Sequence, residues 1–211
     1  MISAQVRLGY SIILVVLAGA TSGAFGAYSY YDDLLRPLPH VFGIWIVLAV
    51  ALSVRQKPRQ AMFRTTVGLV AAVIAFYVGK KIMYGIEYPG MPYSLNMSTL
   101  GLWCIVATIG GPMLGLLFFA VGRRGWPTAA ATAAALALLL ADVYRRASNY
   151  GHQAPVLLIL ATAGVVTILA LADKTAPQLA RTAILVAPMA VLSYGLVSAP
   201  DLVEQLILMS C

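Results

Sequence analysis

Hydrophobic residues along this chain gather in long runs separated by short polar stretches. A helix that crosses a bilayer needs about 20 mainly apolar residues, with a range of roughly 17 to 25. Seven segments approach that length: 9–28, 38–54, 62–84, 98–121, 126–144, 154–172 and 181–199. They predict an all-α, polytopic transmembrane helical bundle in which residues 1–211 form one domain. The second segment is the weakest, because its clean apolar core runs only from Val41 to Val54. At 1.5 Å per residue that core covers about 21 Å of a hydrocarbon slab about 30 Å thick. It either borrows Leu34 and Leu35 or sits tilted among its neighbours. In the first segment Ala18-Gly19-Ala20 resembles a small-residue cleavage site. The apolar run continues to Ala27, however, so an uncleaved first helix is expected.

Composition narrows the class. The chain is 61% hydrophobic and 10% charged, against about 25% charged in soluble domains. A water-solvated globular surface is therefore excluded. A nucleic-acid partner is excluded with it: the pI is near 9.6, but there is no surface on which to build a basic face. The charges instead report orientation. One set of helix flanks holds Arg7, Arg55, Lys57, Arg59, Arg64, Arg123, Arg124, Lys174 and Arg181 against only Asp173. The opposite set holds Arg36, Lys80, Lys81, Arg145 and Arg146 against Asp32, Asp33, Glu87, Asp142, Asp201 and Glu204. Positive flanks stay cytoplasmic, so the expected protein has its N-terminus inside and its C-terminus outside, in the cell (plasma) membrane. Every loop is short, leaving no room for a soluble domain. The tail Asp201 to Ser210 can form a short interfacial helix with Asp201 as its N-cap.

Little in the sequence suggests bond-making chemistry. Cys104 and Cys211 form neither a metal set nor a disulfide framework. His40 and His152 are not spaced as zinc ligands. No nucleophile–base–acid set, H-E-x-x-H motif or phosphate-binding glycine loop occurs. No cofactor and no metal are expected, and an enzyme is the least favoured class.

Binding chemistry is better represented. Eight of the 11 tyrosines fall on the expected outer loops or helix ends: Tyr28, Tyr30, Tyr31, Tyr84, Tyr88, Tyr93, Tyr144 and Tyr150. An interfacial aromatic belt would enrich both faces; the one-sidedness favours an aromatic-lined outer vestibule. Tyr77, Lys81, Tyr84 and Tyr88 are spaced i, i+4, i+7 and i+11 and share a helix face. A lysine between tyrosines can hold an anionic or aromatic ligand. Lys80, about 100° away, is expected to snorkel to headgroups. Asp142 stands three and four residues before Arg145 and Arg146, a spacing that allows a local ion pair. The candidate ligand site is therefore Tyr77, Lys81, Tyr84, Tyr88, Asp142, Arg145 and Tyr31, with Lys81 meeting Asp142.

Two backbone features complete the reading. Gly110-Gly111-Pro112 at the middle of the fourth segment is expected to bend or break the helix, since Pro112 frees the carbonyl of Thr108. Such breaks often mark midplane binding sites in transporters. Gly19, Gly23 and Gly26 form a small-residue stripe that allows close helix packing. Its partner is either internal or another membrane subunit.

The small-residue first span, Trp45 in a short second span, Gly110-Gly111-Pro112-x-x-Gly115, Arg123-Arg124-Gly125-Trp126 and a late acidic residue in the fifth span resemble an uncharacterised family. Its members are multipass proteins of about two hundred residues from high-GC Gram-positive bacteria. Size, helix count and the small-x-x-x-small first helix, with Ala20-x-x-x-Ala24 alongside, are also similar to the substrate-binding S components of energy-coupling-factor vitamin transporters. That resemblance implies capture of a small molecule from outside. Two functions remain in view. One is a membrane-embedded small-molecule binding or transport component with an outward-facing aromatic site. The other is a structural or accessory subunit that packs on a larger membrane complex through the first helix. Both have the lipid bilayer as a partner.

Overall fold

The apolar runs become helices in the computed structural model, which describes the backbone of residues 2–209 and the side chains of residues 12–198. Seven α-helices follow in order: α1 (Ile2–Tyr31), α2 (Gly43–Ser53), α3 (Pro58–Glu87), α4 (Met97–Phe118), α5 (Trp126–Asn149), α6 (Ala154–Leu171) and α7 (Ala176–Met209). No strand occurs among the described residues. All but α2 are long and apolar enough to cross a bilayer. Local chemistry sets several starts. Pro58, Pro127 and Pro155 stand in the first turns of α3, α5 and α6, where a missing N–H costs nothing. At α4, Asn96 caps by accepting the amide of Thr99 at 3.0 Å.

The second segment differs from expectation. Its helix covers only Gly43–Ser53, 11 residues, or about 16 Å, roughly half the thickness of the hydrocarbon. Pro37 and Pro39 deny two amide donors, and the chain passes through a single 3-10 turn at Leu38–His40 before the helix begins. The tail differs too: the backbone of α7 continues past Pro200 to Met209 with no separate interfacial helix. The side chains of that tail, and Cys211, lie outside the described residues.

Close contacts give the helix directions. Val15 and Gly19 of α1 meet Gly68 of α3, Gly23 meets Ala72, and Ala27 meets Gly79, so α1 and α3 run parallel. Helix α2 runs back alongside α3, with Trp45 beside Phe76 and Leu52 beside Gly68. Helix α4 runs back along α3 through Gly111 against Thr66 and Gly115 against Met62. Helices α5 and α7 are parallel, since Gly125 bonds Gln178 and Tyr144 meets Tyr194. Helix α6 opposes them and lies alongside α2, with Leu160 at Gly43 and Gly164 at Val47. Short α2 is thus central, touching α1, α3, α4, α5 and α6.

In hydrocarbon, apolar burial gains nothing over lipid contact, so close approach at small residues holds helices together. A Cβ at Gly19 or Gly23 would overlap the carbonyls of Gly68 or Ala72. Gly26 packs on the Phe76 ring. The stripe is therefore filled by α3 of the same chain, which removes it as a face for another subunit. Alanine does the same for α5, whose Ala129, Ala131, Ala133, Ala135 and Ala137 are buried and let neighbours close in. Leu139 of α5 joins Val50, Phe118, Leu157 and Ile168 in the main core. A buried hydroxyl pair, Ser53 with Thr65 at 2.8 Å, ties α2 to α3.

Helix α4 shows no break at Gly110-Gly111-Pro112. It runs unbroken from Met97 to Phe118 with Pro112 inside it. Gly111 and Gly115 lie directly on the α3 backbone, while Gly110 meets nothing within 4 Å. Gly111 and Gly115 therefore serve close packing on α3.

At the end where α2 finishes, arginines lock three loops together. Arg55, at a positive φ of 57°, donates Nε to the carbonyl of Gly122 at 3.1 Å. Arg123 donates to the carbonyl of Gln56 at 2.6 Å. Arg124 bonds Asp173 at 2.9 Å, and Gln178 makes two bonds to the backbone of Gly125. We call this the arginine end and the opposite one the tyrosine end.

Candidate functional site at the tyrosine end

Helix α2 starts inside the bundle, and something must satisfy its first amides. Phe42, at the N-cap position, offers no side-chain bond. The acceptor comes from α5: Asp142 Oδ2 takes the amide of Phe42 at 2.6 Å, and the amide of Gly43 faces the same carboxylate. Asp142 has no exposed surface and lies about two turns, roughly 10 Å, before the last residue of α5. Its Oδ1 accepts no hydrogen bond among the described residues and stands 3.9 Å from Arg145 Nη2. A negative charge at a helix N-terminus is favourable. Here it also fixes where a half-length helix begins.

Rings of α1, α2 and α3 form a chain at this end. Tyr30 of α1 packs on Tyr31 at 5.3 Å, on His40 at 5.7 Å and on Phe76 of α3 at 6.5 Å. Phe76 continues to Trp45 of α2 at 6.4 Å and to Tyr77 at 5.4 Å. Lys80 Nζ sits over the Tyr30 ring, 3.7 Å from its centroid. A second group forms where the loop after α3 folds back, placing Tyr84 on Tyr88 at 5.0 Å and on Tyr93 at 4.9 Å. Tyr31 is within electrostatic reach of Tyr84, Tyr88 and Tyr93, and Tyr77 of Tyr93 and Cys104.

The expected site residues divide accordingly. Tyr84 and Tyr88 come together in ring contact, whereas Tyr31 packs on Tyr30 and Tyr77 on Phe76. Asp142 and Arg145 form a separate, deeper pair. Lys81 joins neither: it is exposed, and the carboxylate expected to meet it is held by the start of α2 and by Arg145. The inward lysine is Lys80. The register was legible in the α3 stripe of Gly68, Ala72, Phe76 and Gly79, because Lys80 stands one turn beyond Phe76 on that packed face.

His40, Tyr30 and Trp45 join this region although the candidate ligand site did not include them. Outside the long helices, crowding of the His40 ring, then the charges of Arg146, Lys80 and Arg36, hold its imidazole below the usual range. The neutral form is favoured at neutral pH. Arg146, from α5, bonds Gln153 at 3.0 Å and covers the Tyr150 ring at 4.0 Å. Chemically, the region offers flat apolar faces, hydroxyls and cations around the start of a helix. The chain belongs to a family of unknown function, DUF6518, whose model matches residues 4–203. No curated protein and no solved structure matches it.

Proposed function

We propose that this DUF6518 chain is a membrane-embedded small-molecule binding or transport component of the cell membrane. In this reading the whole chain acts as one unit that crosses the bilayer seven times, counting α2 as a short crossing. The N-terminus is cytoplasmic and the tyrosine end faces outward. The orientation rests on the arginine end, where Arg55, Arg123, Arg124 and Arg181 gather.

One observation carries the functional reading: α2 begins within the bundle with its first amides on the buried carboxylate of Asp142. Backbone that stops short at membrane depth is tolerated where protein or a cavity surrounds it. In transporters, such discontinuous helices form the binding site. The aromatic chain from His40 through Tyr30 and Phe76 to Trp45 lines the approach to that point. The small-residue stripe of α1, which favoured an accessory subunit, is already filled by α3.

Native mass spectrometry of the full chain extracted from its own membrane tests this. The wild type should release one small molecule of defined mass, and Tyr30→Ala should lower its occupancy about tenfold, the size of one lost stacking or charge–ring contact. Release of bulk lipid and detergent alone would overturn the reading, as would equal occupancy in Tyr30→Ala.

A further inference from the structure

We infer that the arginine end is a binding site for the phosphate of an anionic phospholipid, gripped by Arg55 and Arg123 with Lys57 beside them. The site lies at the opposite end of the bundle from the tyrosines and does not rest on the binding function proposed there. Two loops, α2–α3 and α4–α5, are tied together here by reciprocal bonds. The amide of Arg55 donates to the carbonyl of Val121 at 3.3 Å, and its Nε to the carbonyl of Gly122 at 3.1 Å. Arg123 answers by donating to the carbonyl of Gln56 at 2.6 Å, and its guanidinium lies 5.4 Å from the centre of the Phe119 ring. Arg55 holds its tie at a φ of 57°, the one non-glycine residue at positive φ among the described residues. Glycine would sit there more easily, and the chain keeps a cation instead.

Both arginines are thus fixed by backbone, yet both are exposed. Each spends one N–H on its tie, and the rest of the planar guanidinium remains for another acceptor. The protein supplies almost no counter-charge. Among the described residues, eight bases stand at this end against one acid, Asp173, and Arg124 takes that acid at 2.9 Å. Orientation in a membrane needs only that bases gather on one side; it does not need two of them pinned across neighbouring loops. A pinned arginine loses little freedom on binding, and its fork matches phosphate oxygens better than an ammonium does. The surroundings select a lipid as the source of that phosphate. Arg55 and Arg123 follow the last residues of α2 and α4, Ser53 and Phe118, where hydrocarbon gives way to headgroups. On the helices that meet at Gly115 and Met62, Phe63, Leu116 and Leu117 are exposed at the same end and offer an apolar surface for acyl chains.

The test uses the full-length protein in phosphatidylcholine nanodiscs containing phosphatidylglycerol. After transfer to neutral detergent, the lipids retained by the protein are counted by mass spectrometry. Wild type should keep phosphatidylglycerol well above its share of the nanodisc. The Lys57 side chain makes no hydrogen bond or ion pair among the described residues, so Lys57→Gln should fold normally, with an unchanged size-exclusion profile. It should lower the enrichment about fivefold, the scale of one base at an anionic membrane surface. Arg123→Lys keeps the charge but loses the fork, and should lower the enrichment as well. Lys81→Gln and Tyr30→Ala, at the tyrosine end, should leave it unchanged, which separates this lipid from any molecule held there. Retention of the two lipids in their nanodisc proportions would overturn the assignment. So would wild-type enrichment in both Lys57→Gln and Arg123→Lys, or an equal loss in Lys81→Gln.

Discussion

Removing the Asp142 carboxylate should loosen the start of α2 before anything else. In Asp142→Ala the amide of Phe42 loses an acceptor at 2.6 Å, and the amide of Gly43 loses the charge it faces. Each buried amide left unpaired costs about 1–3 kcal/mol. The lost charge at the helix end adds about 0.3–1 kcal/mol, or more in buried settings. Relief from burying an ion offsets part of this, because Asp142 has no exposed surface. The net expectation is a loss of about 2–4 kcal/mol. Asp142→Asn keeps an oxygen that can accept from Phe42, so it should lose only about 1 kcal/mol. The assay is denaturant unfolding in detergent followed by tryptophan fluorescence, since Trp45 lies in the first turn of α2 against Phe76. Asp142→Ala within about 0.5 kcal/mol of wild type, the scale of an ordinary surface substitution, would refute the cap. So would an asparagine variant less stable than the alanine one.

Close packing gives two paired expectations. Gly23→Val should abolish folded yield in detergent, measured by size-exclusion chromatography, because its Cβ overlaps the Ala72 carbonyl; Gly85→Val, with nothing within 4 Å, should remain monodisperse. Gly111→Ala should lower the unfolding midpoint through its clash with Thr66, whereas Gly110→Ala should leave it unchanged or raise it. At the arginine end, the amide of Thr175 first, and then Arg124, hold the Asp173 carboxyl below its usual range. That contribution is present above the ordinary carboxylate value and is lost as pH falls through the lowered one. Wild type and Asp173→Asn should therefore differ in midpoint at pH 7, and the difference should shrink progressively as the pH falls below the ordinary carboxylate value of about 3.9.

The helical architecture was legible because each long run is apolar on every side, and hydropathy needs no partner to be read. Six helices followed at nearly the expected places. The shortness of α2 was also visible, in the apolar core from Val41 to Val54. Its starting point was not, because that depends on Asp142, 100 residues away in the chain. The two lysines show the same limit. Spacing alone put Lys81 with three tyrosines, but the direction of an α3 side chain is set by the face packed on α1. Gly68, Ala72 and Gly79 mark that face, and it carries Lys80. The Gly110-Gly111-Pro112 sequence suits a break and a tight contact equally well. Only the position of α3 decides between them.

Thiol labelling combined with ligand protection reads both the orientation of the chain and occupancy of the tyrosine end. Tyr84→Cys, in a chain with Cys104 and Cys211 replaced by serine, is treated in intact cells with a membrane-impermeant maleimide. Gln56→Cys, at the arginine end, serves as the counterpart. Tyr84→Cys should be labelled in intact cells and Gln56→Cys only after permeabilisation. The molecule released from the purified protein should slow labelling at position 84. Labelling of Gln56→Cys from outside, or an unchanged rate at position 84 with that molecule in saturating excess, would contradict an outward, ligand-binding tyrosine end.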